Sequence, residues 1–389
     1  MIKKLNKSLR KLVSTTLLIL MGVFCAGFAV NAAMPVPAPP QVAAKNYLLI
    51  DFYSGQILAE KNSDVQVEPA SITKLMTGYV VYKELEAGRL ALDELVTISE
   101  KAWRMGGSRM YVEVNSKVSV ESLLKGLIIQ SGNDASVALA EHIAGSESAF
   151  VAMMNQYAGT LGMTNTHYVN STGWPDPDHL TTARDIATLA TAIIMEFPDH
   201  YKRYSEKDYE YNNIKQYNRN KLLWSDSSVD GLKTGHTDSA GYCLVSSAKR
   251  SDMRLVSVVL GTKSEKARAS VSQSLLNYGF RFYETHKLYS AGESLHQSRI
   301  WRGETEQISL GILSDLHITI PRGSYKNLKP SIDIDANIEA PVEKGSQFGV
   351  VRIILDQEEL SSAPLVALES VEEGNIFQLA KDYIINLFI

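Results

Sequence analysis

Strand-like segments at two distant places in the chain constrain its fold most strongly. Residues 46–52 and 56–61 are two apolar-rich runs separated by a short turn, which is typical of a β-hairpin. Three more such runs follow much later, with turn-like links between them, at 232–236, 241–248 and 254–261. Much of the sequence between these groups has the apolar period of amphipathic helices. The sequence therefore predicts one mixed α/β domain over residues 34–295, whose sheet joins segments far apart in the chain.

The pattern changes after residue 295. Short β-rich runs with turn residues between them occupy the next segment, at 306–313, 317–321, 328–336, 347–355 and 363–367. Such spacing predicts a small all-β unit over residues 296–370. Because this unit carries no candidate catalytic set, a spacer that supports the first domain is favoured over a separate binding module.

The last segment, residues 371–389, is predicted to contain an amphipathic helix. Its apolar face carries Ile376, Phe377, Ala380, Tyr383, Ile384, Leu387 and Phe388. The helix is shorter than the stretch of about 20 apolar residues that spans a bilayer. Two interpretations remain: the helix packs on its own β unit, or it lies in the membrane interface as an anchor. The terminal position favours the anchor, and the single lysine on the polar face, Lys381, implies mainly hydrophobic binding.

Residues 1–33 are predicted to be an export signal. A basic start precedes an almost wholly apolar run at 12–30, and the small residues Ala32 and Ala33 suit cleavage. Because this apolar run is long for a signal, an uncleaved anchor is the alternative. Cleavage would leave 34 basic and 43 acidic side chains, a net charge of −9 instead of −4. We therefore expect an exported, acidic protein with no nucleic-acid partner.

No metal site and no cofactor are predicted. The eight histidines are scattered, without an H-E-x-x-H motif or a paired Cys/His spacing. After signal cleavage only Cys243 remains, so no internal disulfide can form, and core packing is its favoured role. The chain also lacks a G-x-S-x-G motif and a phosphate-binding loop.

A candidate nucleophile and a candidate base lie together near residue 71. Ser71 and Lys74 are three residues apart, which places both on one face of a helix, and Pro69 indicates where that helix begins. A serine hydroxyl reacts once a base removes its proton, and an amine can do so when burial or nearby positive charge lowers its pKa. Because S-x-x-K pairs also occur by chance, this assignment depends on partners elsewhere in the chain.

Two further motifs could supply those partners. Ser131-Gly132-Asn133 interrupts a helical pattern, where a hydroxyl and an amide can face a cleft. Lys233-Thr234-Gly235 begins a predicted strand. Its lysine brings positive charge, its threonine can bind a carboxylate, and its glycine lets a substrate backbone approach closely. The order S-x-x-K, S-x-N, K-T-G is far more specific than any single motif.

With these motifs the chain resembles the penicillin-recognising serine enzymes. More narrowly, it resembles the low-molecular-mass penicillin-binding proteins, which are serine-type D-alanyl-D-alanine carboxypeptidases. The resemblance includes the runs 130–135 and 229–237, the predicted export signal, the β unit and the terminal helix. It implies a penicillin-binding/serine β-lactamase-like α/β domain with a five-stranded antiparallel sheet. It also implies cleavage of peptidoglycan stem peptides at the periplasmic face of the cytoplasmic membrane, with β-lactams as inhibitors and peripheral attachment through the terminal helix.

The same resemblance implies the catalytic roles. Ser71 would be the acylated nucleophile and Lys74 the base that deprotonates it. Ser131 would relay a proton to the leaving D-alanine, and Asn133 would hold the substrate amide.

The resemblance also implies how the substrate is bound. Lys233 would keep the pocket positive and lower the pKa of the catalytic lysine, while Thr234 binds the terminal carboxylate. The backbone N–H of His236 would complete an oxyanion hole with that of the nucleophile. Arg219 and Arg268 lie at positions that the family uses near the carboxylate site.

Two alternatives to a carboxypeptidase remain. A serine β-lactamase needs a fast deacylation base, which in class A enzymes is a glutamate after the S-x-N motif. The corresponding segment, 168–182, contains no glutamate, so we expect slow deacylation of penicillins. The second alternative is a non-catalytic β-lactam or peptidoglycan sensor. The presence of Lys74, Ser131 and Lys233 favours the enzyme.

Overall fold

The computed structural model describes residues 36–335 and 337–386, so the predicted export signal lies outside the described residues. The strands, in chain order, are β1 (Asn46–Asp51), β2 (Ile57–Lys61), β3 (Leu95–Thr97), β4 (Lys117–Ser119), β5 (Asp208–Tyr211), β6 (Ile214–Tyr217), β7 (Val229–Thr237), β8 (Gly241–Arg250), β9 (Met253–Thr262), β10 (Tyr283–Tyr289), β11 (Ser294–Trp301), β12 (Gln307–Gly311), β13 (Leu316–Pro321), β14 (Leu328–Ile334), β15 (Ile338–Glu339), β16 (Gln347–Leu355) and β17 (Glu358–Ala367). The α-helices are α1 (Lys74–Glu86), α2 (Glu100–Trp103), α3 (Val120–Lys125), α4 (Asn133–Ala144), α5 (Glu147–Thr160), α6 (Ala183–Glu196), α7 (Pro198–Tyr201), α8 (Leu222–Ser225), α9 (Glu265–Phe282) and α10 (Ile376–Asn386).

A five-stranded antiparallel sheet forms the centre of the first domain. Its strand order is β2-β1-β9-β8-β7. β1 pairs with β9 from Asn46 opposite Leu260 to Asp51 opposite Leu255, which joins the two distant groups of strand-like segments. The α/β fold with a five-stranded antiparallel sheet is therefore confirmed.

The sheet separates two hydrophobic clusters. Because successive side chains of a strand point to opposite faces, Leu48 packs into one cluster and Leu49 into the other. Helix α9 covers one face through Leu275 and Leu276. The larger cluster on the other face includes α1 and the helices α3 to α6. The start of α1 lies against β7, at the edge of the sheet, and this seam forms the site described below.

The β-rich unit begins earlier in the chain than the sequence indicates. β10 pairs with β13 along its length, and Leu288 and Tyr289 pack on the hydrophobic cluster of the β unit. Residues 283–295 therefore lie in the β unit, whereas the boundary predicted at residue 295 puts them in the first domain. The reason is local: α9 ends at Phe282 and β10 starts at the next residue, so no turn residues mark the change.

The remaining strands confirm an all-β unit, and a helix follows it. Six strands pair in the order β14-β16-β17-β12-β11-β15 around a core of aliphatic side chains. Helix α10 contacts this unit through polar groups: Asp382 accepts hydrogen bonds from the Arg299 guanidinium at 2.9 Å and from the Arg302 backbone N–H at 2.7 Å. Several of its apolar side chains are exposed, Phe377 to 82% and Tyr383 to 70%. Within the described chain, no helix is long and apolar enough to cross a membrane.

Candidate active site

Ser71 lies in the 3₁₀ turn Ala70–Thr73, which leads directly into α1. Lys74 is the first residue of α1, and its Nζ donates a hydrogen bond to the Ser71 Oγ over 3.2 Å. The Lys74 side chain is buried, whereas Ser71 is partly exposed and lines an open cleft. The hydroxyl is thus accessible to a ligand while the amine is kept from solvent.

The Lys74 amine has three hydrogen-bond partners. Besides Ser71, Nζ donates to Asn133 Oδ1 at 2.7 Å and to the backbone carbonyl of Thr172 at 2.6 Å. Burial, and next the positive charge of Arg219, lower the pKa of Lys74 to about 7. In its neutral form the amine can donate to Asn133 and Thr172 and still accept a proton from the serine hydroxyl. This geometry suits a general base at neutral pH.

Ser131 and Lys233 form a second buried pair. The π-helical turn Gly126–Gln130 ends at Ser131, whose backbone is left-handed with φ 64°. Lys233 Nζ donates to the Ser131 Oγ at 2.8 Å. Burial, and next the charge of Lys74, lower the pKa of Lys233 well below its usual value. The repulsion between the two ammonium groups is mutual, so each lysine favours the neutral form of the other. Arg219 is a further cation that lowers the pKa of Lys74.

Asn133, at the start of α4, fixes a loop at the side of the cleft. Its Nδ2 donates to the Gly106 carbonyl at 2.7 Å. The neighbouring Asp134 is 1% exposed and accepts hydrogen bonds from the backbone N–H groups of Met110 and Tyr111, both at 2.9 Å. Sequence reasoning missed this loop because backbone groups of any residue type can make these bonds.

Strand β7 brings Thr234, Gly235 and His236 to the cleft. An added Cβ at Gly235 would lie 3.1 Å from the Pro69 carbonyl oxygen, so glycine lets the strand pack closely on the turn before α1. The exposed His236 ring packs against Tyr242, with 3.9 Å between the ring centroids.

Arg219 and Arg268 make one end of the cleft cationic. Arg219 lines it from the segment before α8, and Arg268, on α9, donates from Nη1 to the Gly235 carbonyl at 3.1 Å. Burial lowers the pKa of both guanidinium groups. Glu265 approaches Arg268 only to 3.8 Å. This end of the cleft therefore suits a carboxylate ligand.

The residues singled out from the sequence converge on this one cleft, whose volume is about 670 Å³. Eight of the ten line it directly. The other two, Lys74 and Lys233, are buried and hydrogen-bonded to Ser71 and Ser131. Three segments distant in the chain thus form a single site.

The loop 168–180 contributes to the site in a way that sequence reasoning did not find. Thr172 supplies the carbonyl that binds the lysine amine, and Trp174 lines the cleft. Between them, Gly173 has φ 83°, and an added Cβ there would overlap the carbonyl oxygen of Ala70. Glycine is therefore required where this loop meets the turn that carries the serine. In the sequence the same glycine indicates only a turn.

Among the described residues, no three His, Cys, Asp or Glu side chains come together in a way that could hold a metal ion. Cys243 is buried in β8, and burial raises the pKa of its thiol to about 11. It is placed as a core residue and not as a nucleophile.

Two family models together match most of the chain. The model described as D-alanyl-D-alanine carboxypeptidase (Peptidase_S11) matches residues 33–264. The model described as the C-terminal domain of penicillin-binding protein 5 (PBP5_C) matches residues 283–373.

Individual relatives agree with this assignment. The D-alanyl-D-alanine carboxypeptidase DacA of Escherichia coli (strain K12) is 42% identical over 366 residues, 92% of this chain and 91% of that protein. Penicillin binding protein 5 from Haemophilus influenzae has a solved structure with 43% identity and a TM-score of 0.84, covering 87% of this chain and 100% of that chain. Penicillin-Binding Protein D2 from Listeria monocytogenes, solved in the ampicillin bound form, has 28% identity and a TM-score of 0.58, with coverages of 63% and 100%. The chain belongs to the D-alanyl-D-alanine carboxypeptidase family, as its three motifs predicted.

Proposed function

We propose that the chain hydrolyses the terminal D-alanyl-D-alanine bond of peptidoglycan stem peptides through an acyl-enzyme at Ser71. The observation that carries this proposal is the Lys74 amine, 3.2 Å from the Ser71 Oγ and with a pKa of about 7. A lysine with the ordinary pKa of 10.5 would stay almost wholly protonated at neutral pH, so only a very small fraction of it could act as a base. Family membership supports the same chemistry.

In the proposed acylation, Lys74 accepts the Ser71 proton while Oγ attacks the carbonyl carbon between the two D-alanines. The backbone N–H groups of Ser71 and His236 would bind the oxyanion, and one such donor typically contributes about 3 kcal/mol. Ser131, held by Lys233, relays a proton to the leaving nitrogen, so that D-alanine departs and an ester remains. Water then hydrolyses this ester, which releases the shortened peptide and restores the Ser71 hydroxyl.

The cationic end of the cleft is proposed to hold the terminal carboxylate of the substrate. Thr234 donates to this carboxylate, and Arg219 and Arg268 attract it electrostatically. Asn133 contacts the substrate amide on the other side of the scissile bond. Two guanidinium groups near one carboxylate favour a substrate with a free C-terminus, which is a carboxypeptidase substrate.

The proposal is tested by mass spectrometry after incubation with benzylpenicillin, together with an assay for D-alanine released from diacetyl-Lys-D-Ala-D-Ala. The wild type should gain the mass of the drug and release D-alanine, and Ser71→Ala should do neither. An enzyme that is acylated but releases no D-alanine would instead be the sensor considered above. Acylation of Ser71→Ala would refute Ser71 as the nucleophile.

The same serine is proposed to be acylated by β-lactams and to release them slowly. The segment 168–182, which borders the cleft, contains no glutamate that could serve as a fast deacylation base. The solved relative with ampicillin supports β-lactam binding by this site. Disappearance of the benzylpenicillin adduct within seconds would instead support a β-lactamase.

We further propose that the chain is exported and held at the periplasmic face of the cytoplasmic membrane by α10. The helix docks on the β unit with its polar Asp382 and leaves Phe377 and Tyr383 exposed, which suits insertion into a lipid interface. Deletion of residues 376–389 should move the protein from the membrane to the soluble periplasmic fraction. Continued membrane retention after signal cleavage would contradict the anchor. As a matched control, Asp356→Asn in the β unit should leave membrane retention unchanged.

A further inference from the structure

The cleft has a side that the proposed chemistry does not use. It is formed by Arg109, Tyr111 and Trp174, together named the acyl-side wall. Tyr111 is 46% and Trp174 50% exposed, although both are large aromatic residues. Exposed aromatic rings beside a cation in a concave site favour a ligand that has both an apolar and an anionic part.

Arg109 and Tyr111 stand on a loop that is fixed before any ligand binds. The buried Asp134 accepts hydrogen bonds from the backbone N–H of Tyr111 and of the residue before it, both at 2.9 Å. The Asn133 backbone N–H donates to the Ser108 carbonyl at 2.7 Å. Tyr111 also has a left-handed backbone with φ 69°, which is uncommon for an aromatic residue and persists only where its surroundings fix it. A rigid wall loses little conformational entropy on binding.

Trp174 is held as firmly, by Asn170. Asn170 Oδ1 accepts from the Trp174 backbone N–H and Asn170 Nδ2 donates to the Trp174 carbonyl, each at 3.0 Å. The indole packs over Gly107, where an added Cβ would meet the ring at 3.4 Å. That same Cβ would lie 3.0 Å from Asn133 Nδ2. The tryptophan, the loop that carries Arg109 and the Asn133 amide therefore form one continuous surface.

Arg109 brings a positive charge to the wall. Among residues 36–335 and 337–386, no carboxylate forms an ion pair with it. The Arg109 guanidinium lies over the Tyr111 ring, with 5.2 Å from Cζ to the ring centroid. A D-alanyl-D-alanine peptide has one terminal carboxylate, which the proposed function assigns to Arg219 and Arg268. Arg109 lies on the Asn133 side, which faces the acyl part of the substrate. Its charge therefore suits a second anionic group, located before the scissile bond.

We infer that the acyl-side wall binds the side chain of the residue that precedes the two D-alanines, and selects a side chain that ends in a carboxylate. This inference rests on the proposed function and specifies its substrate class. The aliphatic part of the side chain lies on Trp174 and Tyr111, and its carboxylate pairs with Arg109. A neutral side chain of the same length gains the apolar contacts only.

Two peptides of equal length test the inference: N-acetyl-L-2-aminoadipyl-D-Ala-D-Ala and N-acetyl-L-norleucyl-D-Ala-D-Ala, which differ in a terminal carboxylate. The measured quantity is the ratio of their kcat/KM values. Wild type should favour the aminoadipyl peptide by about tenfold, the value of one charge-assisted contact. Arg109→Gln should reduce this ratio to near one, and Arg109→Lys should restore part of it. The control is Arg104→Gln, an exposed arginine paired with Glu100 outside the cleft, which should keep the wild-type ratio.

A ratio near one in the wild type, or a ratio unchanged by Arg109→Gln, would overturn the inference. Trp174→Ala should lower kcat/KM for both peptides by a similar factor, because both use the apolar surface, and an unaltered value for both would also count against it. If neither peptide is hydrolysed, the proposed function fails. The selectivity is then measured as the ratio of acylation rates with α-carboxybenzylpenicillin and benzylpenicillin, which differ by one side-chain carboxylate. A loss of that ratio in Arg109→Gln supports the wall, and an unchanged ratio refutes it.

Discussion

The lowered pKa of Lys74 leads to a quantitative prediction for the pH dependence of acylation. Only the neutral amine can accept the Ser71 proton, so the acylation rate constant should follow the neutral fraction of Lys74. Burial favours the neutral form, and the positive charge of Arg219 adds to this effect. Because loss of that charge stabilises the ammonium, Arg219→Gln should raise the pKa of Lys74. The rising limb of the pH profile should then move to higher pH.

The expected magnitude separates a tuned lysine from an ordinary one. With a pKa of about 7, roughly 9% of Lys74 is neutral at pH 6 and roughly 91% at pH 8, a rise of about tenfold that then levels off. A lysine with the ordinary pKa of 10.5 would give about a hundredfold rise over the same two pH units and would continue to rise at pH 9. The plateau above pH 8 is therefore the diagnostic feature.

Stopped-flow acylation by a chromogenic β-lactam at saturating concentration isolates this step from binding. The matched control is Arg268→Gln, because Arg268 lines the same cleft but does not contribute to the lowered pKa of Lys74. It should weaken binding of the carboxylate while leaving the rising limb near pH 7. A wild-type profile with unit slope through pH 9, or one that is flat from pH 5 to 9, would refute Lys74 as a base with a tuned pKa.

Three further predictions follow from the same contacts. Gly173→Ala should slow acylation at least about a hundredfold, because the new Cβ displaces Ala70 and with it the nucleophile, while the circular dichroism spectrum stays unchanged. Lys74→Met should raise the free energy of unfolding at pH 7, because it removes an amine that burial disfavours in its charged form. The pKa of Lys74 is lower in the folded state than in the unfolded state, so the wild type gains stability as the pH rises from about 7 to 10.5. Urea titrations over this pH range should show that the variant lacks this gain. Asp134→Ala should lower the free energy of unfolding by about 3 kcal/mol, because buried backbone N–H groups lose their acceptor.

Two variants in the chain serve as controls, one for the acylation rate and one for the unfolding free energy. Gly159 lies on α5, where an added Cβ would meet open space. Gly159→Ala is therefore the control for Gly173→Ala and should leave the acylation rate unchanged. Asp199→Ala removes a carboxylate whose side chain is 87% exposed and should change the unfolding free energy by less than about 0.5 kcal/mol. Normal acylation by Gly173→Ala, pH-dependent stability retained in Lys74→Met, or an unaltered Asp134→Ala would each contradict the corresponding contact.

The five strands of the central sheet could be predicted because their sequence signal is local. Apolar runs bounded by turn residues indicate β1 and β9. The motifs around Ser131 and Lys233 match a family pattern, and this pattern predicts that both motifs lie close to Ser71. The boundary near residue 283 could not be predicted in this way. There a helix continues directly into a strand, and only the pairing of β10 with β13 assigns the segment to the β unit.

The features of the site that the sequence does not indicate depend on backbone groups and on long-range charge. Thr172 binds Lys74 through its carbonyl oxygen, which every residue type possesses. The sequence favours Lys233 as the cation that tunes Lys74, because both belong to recognised motifs. In the structure burial and Arg219 also lower the pKa of Lys74, and the effect of Arg219 follows from packing rather than from any motif.

The position of the nucleophile is set by two close backbone approaches to the same short turn. Gly173 meets it at the Ala70 carbonyl and Gly235 at the Pro69 carbonyl, and a Cβ at either position would be crowded. One glycine comes from the loop 168–180 and the other from β7, so Ser71 is located only when both distant segments have packed. The hydroxyl and the amine of an S-x-x-K pair are neighbours on any helix, and in this fold the two are hydrogen-bonded beside the cleft. The helix supplies their proximity, and the packing of the two glycines on the turn positions the backbone that carries Ser71.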